Sequence, residues 1–280
     1  MVTAFQGGFV VGRYRAAETR EVRERLIRQG RGQGHGASYQ PWIRLGEFPN
    51  RGNSFRVQSQ LTGRTHHYLS NLEYRHHLLC EYLGNVIDIR EQYPIHPITE
   101  TLALAHELGI AHPEFGGHIC SLTTDSLLTI DDGDARRQLA RSLKYTCDLT
   151  DPRTLENLEL ERQAWLMRGI TWELLTEHDL PDVLGLNLRW LRGWNRDGRV
   201  APSAVLQQYY LAALGEQSFS KPLGLILDLV AEQLRIARFM AIRVFRYLAW
   251  QRILDVDLYV PLHLTRPHPA LASNFRKIAA

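Results

Sequence analysis

The sequence contains few cysteines and no long uninterrupted run of apolar residues. Its three cysteines form no Cys-x-x-Cys pair, which argues against both a disulfide framework and a four-cysteine zinc site. No segment reaches the ~18 consecutive apolar residues that a membrane span needs, because charged side chains interrupt even residues 223–250. Residues 1–15 lack the basic and apolar regions of a secretory signal. We therefore expect a cytoplasmic protein.

The chain is long enough for two domains of ordinary size. Its 280 residues are 44% hydrophobic, which is enough to build a sizeable core. The net charge is only +3, but arginines cluster in residues 11–31 and 235–252. Such clusters favour a polyanionic partner, although solvated surfaces can have the same composition.

Turn and capping residues divide the N-terminal half into elements. Residues 30–65 are rich in Gly, Ser, Asn and Gln, which predicts a flexible arm. A helix is expected to begin at Asn71 and to end near Gly84. The following β-branched run predicts a strand that stops at Pro94, and a further helix should end at Gly109.

A β-hairpin is predicted over residues 121–145. Two extended runs flank the sequence Asp-Asp-Gly-Asp, and an Asp-Gly turn between such runs is typical of a hairpin. Folding about this turn brings Asp125 on the first strand close to Lys144 at the end of the second.

The character of the sequence changes near Leu180–Pro181, where we expect a domain boundary. Beyond it the apolar spacing predicts several helices, and residues 253–267 then alternate as a strand does. This order predicts a mainly helical, winged-helix-like domain over residues 181–280. It follows an α/β domain over residues 1–180.

The predicted elements bring together a set of side chains suited to phosphodiester hydrolysis. Glu73 on a helix and Asp125 on a strand would supply oxygen ligands to Mg²⁺, for which Mn²⁺ is expected to substitute. Lys144 on the neighbouring strand would orient the attacking water and offset charge on the phosphate.

Four longer stretches resemble a known family, the TnsA endonucleases, over residues 40–178 and more loosely beyond. They are HHYLSNLEYRHHLLCEYLGNVIDIREQYPI, HPEFGGHICSLTTDSLLT, ARSLKY and RTLENLELERQAWLMRGITWELLTE. The resemblance implies a restriction-endonuclease-like core of the PD-(D/E)-x-K superfamily, with a mixed central sheet flanked by helices. Such a core would bind Mg²⁺ and nick the 5′ strands at transposon ends.

The resemblance also implies partners and a set of site residues. The partners are transposon-end DNA, a DDE-type transposase (TnsB) and an AAA+ ATPase (TnsC), at the bacterial nucleoid. The family's helix glutamate falls on Glu73, its strand aspartate on Asp125 and its lysine on Lys144. Ser142 stands two residues before the lysine, where the superfamily pattern has Glu, Asp or Gln. Glu161 matches an acid close to the family's site, so Ser142 and Glu161 are candidates for supporting the metal ligands.

Glu73 has a second interpretation. Ser70 followed by Glu73 forms a capping box, in which the two side chains satisfy backbone N–H groups at a helix start. Capping and metal binding would compete for the same carboxylate oxygens. We favour metal binding.

Other histidines and a cysteine suggest no metal site of their own. His106, His112, His118 and Cys120 are zinc-ligand types, but their spacing matches no standard zinc pattern. Four more histidines flank the candidate site and would either contact DNA phosphate or lie on the surface: His66, His67, His76 and His77.

Four arginines are expected on one side of a C-terminal helix, where they span about 140° of its circumference. This stripe favours contact with the DNA backbone or with an acidic partner, or is simply solvated. The arginines are Arg235, Arg238, Arg243 and Arg246.

Two other functions fit the sequence less well than a nuclease subunit of a transposase. A stand-alone restriction or repair nuclease would cut specific DNA unaided. A non-catalytic adaptor would bind DNA or the ATPase, and Ser142 leaves some room for it. The complete set of Glu73, Asp125 and Lys144 argues against the adaptor.

Overall fold

The computed structural model describes residues 18–47, 53–198 and 200–267, and the chain divides into two compact units at Glu177–His178. The sequence placed this boundary at Leu180–Pro181. Residues 1–15, which lack the features of a secretory signal and include Arg13 and Arg15 of the first arginine cluster, lie outside the described residues. Within the described ranges, no helix is both long and apolar enough to span a bilayer.

The first unit combines helices with short and long strands. Its helices are α1 (Arg20–Arg28), α2 (Asn71–Leu83), α3 (Ile98–Leu108) and α4 (Pro152–Leu166). Its strands are β1 (Phe55–Gln58), β2 (Thr65–Tyr68), β3 (Val86–Pro94), β4 (Glu114–Phe115), β5 (His118–Ile119), β6 (Thr123–Asp131), β7 (Arg136–Leu143) and β8 (Thr171–Leu175).

The central sheet has the order β3-β6-β7-β8. β6 pairs antiparallel with both β3 and β7, whereas β8 pairs parallel with β7. The sheet is therefore mixed, as predicted. β6 and β7 form the predicted hairpin, and at its turn Asp132 N donates to Ala135 O over 3.2 Å.

Apolar side chains from the sheet pack into two clusters, so helices cover both of its faces. Leu127 and Ala140 join the cluster that α3 and α4 complete, whereas Leu128 and Leu139 join Cys80 of α2 in the other. Burial of these side chains supplies the main favourable free energy of folding.

Helix α2 begins and ends where the sequence predicts. Ser70 precedes it, and the Ser70 hydroxyl accepts a hydrogen bond from Glu73 N over 3.1 Å. Gly84 ends it with a left-handed φ of 78°, a conformation that glycine adopts without steric cost. The predicted strand end at Pro94 and helix end at Gly109 are also confirmed.

The predicted flexible arm over residues 30–65 is wrong for much of its length. A 3₁₀ turn forms at Gly36–Ser38, and β1 and β2 form an antiparallel hairpin. Arg64, just before β2, donates to the carboxylate of Glu91 on β3 and is buried. This ion pair ties the hairpin to the central sheet, which composition alone does not indicate.

The second unit is helical in its described residues, with a buried apolar core. Its helices are α5 (Asp182–Arg192), α6 (Ala204–Gly215), α7 (Leu223–Gln233) and α8 (Arg238–Trp250), with a 3₁₀ turn at Gly193–Gly198. Residues 253–267 form no strand, so the predicted β element of a winged helix is wrong.

The polar partners of this last segment explain why it is not a strand. The side chain of Asn187 on α5 donates to Leu258 O and Val260 O, each over 2.8 Å, and accepts from Leu262 N. Gly224 N near the start of α7 donates to Leu264 O. The backbone groups that a ladder would use are therefore bonded to helices.

Candidate active site

Asp125 and Lys144 lie together at one end of the central sheet. Lys144 Nζ lies 3.4 Å from Asp125 Oδ2, and Leu143 N donates to the same oxygen over 2.8 Å. Lys144 follows the last residue of β7, so the strand end delivers both its backbone N–H and its lysine to the aspartate. The side chains remain accessible, with 16% of Asp125 and 34% of Lys144 exposed.

Glu73 reaches the same place from the first turn of α2. Its side chain is buried and accepts hydrogen bonds from Leu69 N over 3.1 Å and from the Ser70 hydroxyl over 3.0 Å. The helix cap is therefore formed. A carboxylate has about four lone-pair sites, so these two bonds leave room for further ligands, and capping does not exclude metal binding.

A glutamine that the sequence reasoning missed connects the two acids. Gln92 Nε2 lies 3.4 Å from Glu73 Oε2 and 3.3 Å from Asp125 Oδ1. Gln92 is buried within β3, where a polar residue in a β-branched run gives no signal of function. The structure thus brings Glu73, Asp125 and Lys144 into one site, with Gln92 between the acids.

The pKa values reflect two acids and one cation that share a confined site. Burial and then the Asp125 carboxylate raise the pKa of Glu73 to about 7. The Asp125 carboxylate in turn raises the pKa of Lys144, which keeps the ammonium protonated. The Glu73 pKa signals like-charge repulsion that a divalent cation between the acids would offset.

Ser142 and Glu161 form a second polar cluster beside the first. Glu161 on α4 is buried, and its Oε1 accepts hydrogen bonds from the hydroxyls of Thr124 and Ser142 and from Trp172 Nε1. Burial and then the Asp125 charge raise the pKa of Glu161 to about 7. Ser142 therefore contacts Glu161 instead of replacing an acid at the first site.

The backbone at and just after Lys144 is held by residues at the end of the first unit. Lys144 N donates to Leu175 O over 3.1 Å. Thr146 N donates to Glu177 Oε2 over 2.9 Å, and the Thr146 hydroxyl donates to the same carboxylate. Lys144 and the residue two positions beyond it are thereby bonded to the end of β8 and to the segment that follows it.

The donor set at this site fits a hard divalent cation. Mg²⁺ is commonly held by one or two carboxylates, with waters and substrate phosphates completing its ligands. Glu73 and Asp125 supply the two carboxylates. Within the described ranges, no group of three or more His, Cys, Asp and Glu side chains is placed to hold a metal ion. Other oxygen donors would therefore complete the coordination.

Three of the four flanking histidines are buried. His66 Nδ1 lies 2.9 Å from Glu91 Oε2, and Tyr68 OH lies 2.8 Å from His77 Nδ1. His76 contacts the Cys80 sulfur and Arg141. The expectation of surface or DNA-contacting residues is therefore wrong for His66, His76 and His77, which pack inside the first unit.

The four C-terminal arginines do not lie on one helix. Arg235 precedes α8 and has a left-handed φ of 53°. Ile236 N donates to Ala231 O across it, a bond that closes the end of α7. The predicted single stripe is wrong because this turn divides the long apolar run into two helices.

All three remaining arginines have partners within the second unit, and those of Arg243 and Arg246 limit their availability. Arg243 donates to Trp194 O over 3.1 Å and to Val200 O, and the Arg246 guanidinium lies 4.4 Å from the centre of the Trp190 ring. Arg238 is exposed and pairs with Asp228 over 2.8 Å. Arg235 and Arg238 are therefore the more accessible pair.

Comparison with known families shows what part of the first unit resembles. Residues 84–177 match the family described as the TnsA-like endonuclease N-terminal domain. This range contains Asp125, Ser142, Lys144 and Glu161, whereas Glu73 precedes it. This part of the first unit is therefore similar to a TnsA-like endonuclease domain.

Comparison with a single curated relative also supports the resemblance. The chain is 42% identical over 167 residues to the transposon Tn7 transposition protein TnsA of Escherichia coli. The match covers 60% of this chain and 60% of the relative. The resemblance inferred from the sequence is confirmed.

Proposed function

We propose that this chain is the metal-dependent endonuclease subunit of a heteromeric transposase and nicks the 5′ strands at transposon ends. The convergence of Glu73, Asp125 and Lys144 at one end of the sheet carries the proposal. It occurs in a unit similar to TnsA, and the relative's own name describes a transposition protein.

In this proposal Glu73 and Asp125 hold Mg²⁺, and Mn²⁺ can replace it. When bound, the cation would polarise the phosphate and lower the pKa of a water molecule. The Leu143 N–H keeps Asp125 Oδ2 in place, because a backbone donor at 2.8 Å fixes the carboxylate orientation. Glu73 is fixed similarly by the helix cap.

Lys144 supplies a positive charge next to the site. Its raised pKa keeps it protonated at neutral pH, so it acts as a hydrogen-bond donor and not as a base. A donor at this position would orient the attacking water and stabilise charge that develops on the phosphate oxygens. Glu161 and Ser142 would hold the end of β7 that carries Lys144.

The proposed partners follow from the family resemblance. Transposon-end DNA would be positioned by a TnsB-type transposase that cuts and joins the 3′ ends, and a TnsC-type ATPase would regulate both. Arg235 and Arg238 are two accessible arginines of the second unit with which DNA or a protein partner could interact, and Arg243 and Arg246 would support that surface from within.

Asp125→Ala tests the proposed site. We expect it to lower 5′-strand nicking at least about 100-fold, because the electrostatic contribution of a metal ligand is lost. Nicking is measured on a strand-labelled transposon-end substrate with Mg²⁺ and both partner proteins. Asp131→Ala on the same strand, where the side chain pairs with Arg136 at the hairpin turn, is the matched control. Wild-type nicking by Asp125→Ala would refute the assignment.

A further inference from the structure

Gln92 has an unusual backbone conformation for a residue inside a strand. Its φ is 48°, in the left-handed region that non-glycine residues rarely adopt. Its neighbours Glu91 and Tyr93 pair normally with Ser126 and Thr124 of β6. The pairing of these neighbours holds Gln92 in place along the strand, and Gln92 O accepts a hydrogen bond from Trp42 N over 3.2 Å. An observed outlier of this kind points to a functional constraint on the side chain.

The side chain reaches the point where the two acids converge. Gln92 Nε2 lies 3.3–3.4 Å from an oxygen of Glu73 and an oxygen of Asp125, near the upper limit for a hydrogen bond. One weakly donating group is therefore shared by two carboxylates. A cation held by both carboxylates would lie next to this amide.

Only one end of the amide is engaged. Within the described part of the chain, Gln92 Oε1 accepts no hydrogen bond, so no bond opposes a half-turn of the amide group. Carboxylates accept hydrogen bonds and cannot donate them, so in the cation-free protein the NH₂ group faces the acids. A divalent cation would instead attract a carbonyl oxygen, and glutamine carbonyls are suitable ligands for hard cations.

We infer that Gln92 is a third ligand of the divalent cation and presents its amide in two orientations. The NH₂ group bridges Glu73 and Asp125 in the cation-free protein, and Oε1 binds the cation after the amide turns. The inference rests on the proposed metal site. It supplies one oxygen donor beyond the two carboxylates and gives a reason for the strained residue in β3.

A purely structural bridge makes the opposite prediction about cation affinity. If Gln92 only links the acids, its removal frees both carboxylates, and the cation binds as tightly as before or more tightly. If Gln92 is a ligand, its removal weakens binding. Gln92→Met separates the two, because methionine has a similar length but neither a carbonyl oxygen nor an N–H donor.

The measurement is Mn²⁺ binding to the full chain, without DNA, by calorimetry and by electron paramagnetic resonance. We expect Gln92→Met to weaken binding about tenfold or more, as loss of groups around metal sites does. Gln138→Met is the matched control, since Gln138 lies on β7 opposite Thr129, away from the acids. Unchanged or tighter binding by Gln92→Met would overturn the inference.

Gln92→Glu gives a second, independent readout. Unlike methionine, glutamate keeps a side-chain oxygen at this position, and it also adds a negative charge. This variant should therefore bind Mn²⁺ more tightly than wild type and show a larger Mn²⁺-induced rise in Tm. If Gln92→Met does not fold, this variant decides, and affinity at or below wild type overturns the inference. Absence of Mn²⁺ binding by the wild type, or binding that Asp125→Asn does not reduce, would instead refute the proposed metal site itself.

Discussion

The Glu73 carboxylate takes part in a helix cap and also lies close to the carboxylate of Asp125. The cap uses Leu69 N and the Ser70 hydroxyl, and burial and then the Asp125 carboxylate raise the pKa of Glu73. The sequence suggested that the two roles compete for the same carboxylate oxygens. The geometry instead lets both roles use the same side chain, so substitutions must separate them.

Ser70→Ala and Glu73→Gln should have different effects. Ser70→Ala removes the capping hydroxyl but no proposed ligand, so it should lower the free energy of unfolding by about 0.5–2 kcal/mol and leave nicking intact. Glu73→Gln should abolish nicking while stability stays close to wild type, because it also removes charge repulsion with Asp125. Urea unfolding and the strand-labelled nicking assay measure the two effects. Wild-type nicking by Glu73→Gln would contradict a metal-binding role.

His76 should contribute to the pH dependence of stability. Burial and then the nearby charges of Arg141 and His77 lower its pKa well below the usual value. The unfolded chain takes up a proton at this residue below about pH 6.5, whereas the folded protein does not. Stability is therefore complete above that pH and is lost as the pH falls toward the lower folded pKa, by up to about 1.4 kcal/mol per pH unit.

The test compares two histidine variants in EDTA. His76→Gln should reduce the loss of unfolding free energy between about pH 7.5 and pH 5.5. His118→Gln, at an exposed position, should leave it unchanged. Part of the loss should remain in His76→Gln, because burial also lowers the pKa values of His67, His96 and His112. Equal losses in the two variants would show that His76 is not responsible.

At the scale of single residues, the sequence predicted the two acids and the lysine of the candidate site but not the glutamine between the acids. Glu73, Asp125 and Lys144 belong to residue types whose charge suggests metal and phosphate chemistry. Gln92 is uncharged, and its position between the acids goes with a left-handed φ that no local pattern indicates. The burial of His66 was missed because its partner Glu91 lies far away in the sequence.

At the scale of elements, local signals predicted the boundaries that depend on local chemistry. The cap at Ser70, the glycines at 84 and 109 and the Asp-Gly turn each determine a conformation within a few residues. The β1–β2 hairpin depends instead on Arg64 binding Glu91 across 27 residues. The strand predicted from the alternation in residues 253–267 is wrong for a similar reason. Asn187 on α5 forms hydrogen bonds with backbone groups of that segment.

The arginines around α8 should divide into two classes. Arg243→Gln should lower the free energy of unfolding by about 1–3 kcal/mol, because it removes a charged donor from two backbone carbonyls. Changing Arg235 and Arg238 together to glutamine should alter stability by less than about 1 kcal/mol, since the Arg238–Asp228 pair is at the surface. The double variant should still impair partner-dependent end cleavage. Denaturation and nicking assays test both classes, and normal cleavage by the double variant would exclude a docking role.

At the scale of the whole molecule, a net charge of +3 indicates modest attraction to DNA. We expect the purified chain to bind DNA weakly, with affinity falling steeply between about 50 and 200 mM salt, because arginine–phosphate contacts release counterions. It should cut little without its partners, since phosphate contacts do not read sequence. Fluorescence anisotropy and cleavage with and without the transposase measure this. Efficient, sequence-specific cleavage by the chain alone would favour a stand-alone nuclease.

The hydrogen bonds of Glu177 connect the end of the first unit to Lys144. The chain leaves that unit immediately after Glu177, whose carboxylate holds Thr146 two residues beyond the lysine. Leu175, two residues earlier, holds Lys144 N. A pull on the backbone at residue 178 would therefore act first on these hydrogen bonds, which hold the backbone around Lys144. We therefore expect tension on the chain beyond Glu177 to shift Lys144 relative to Asp125.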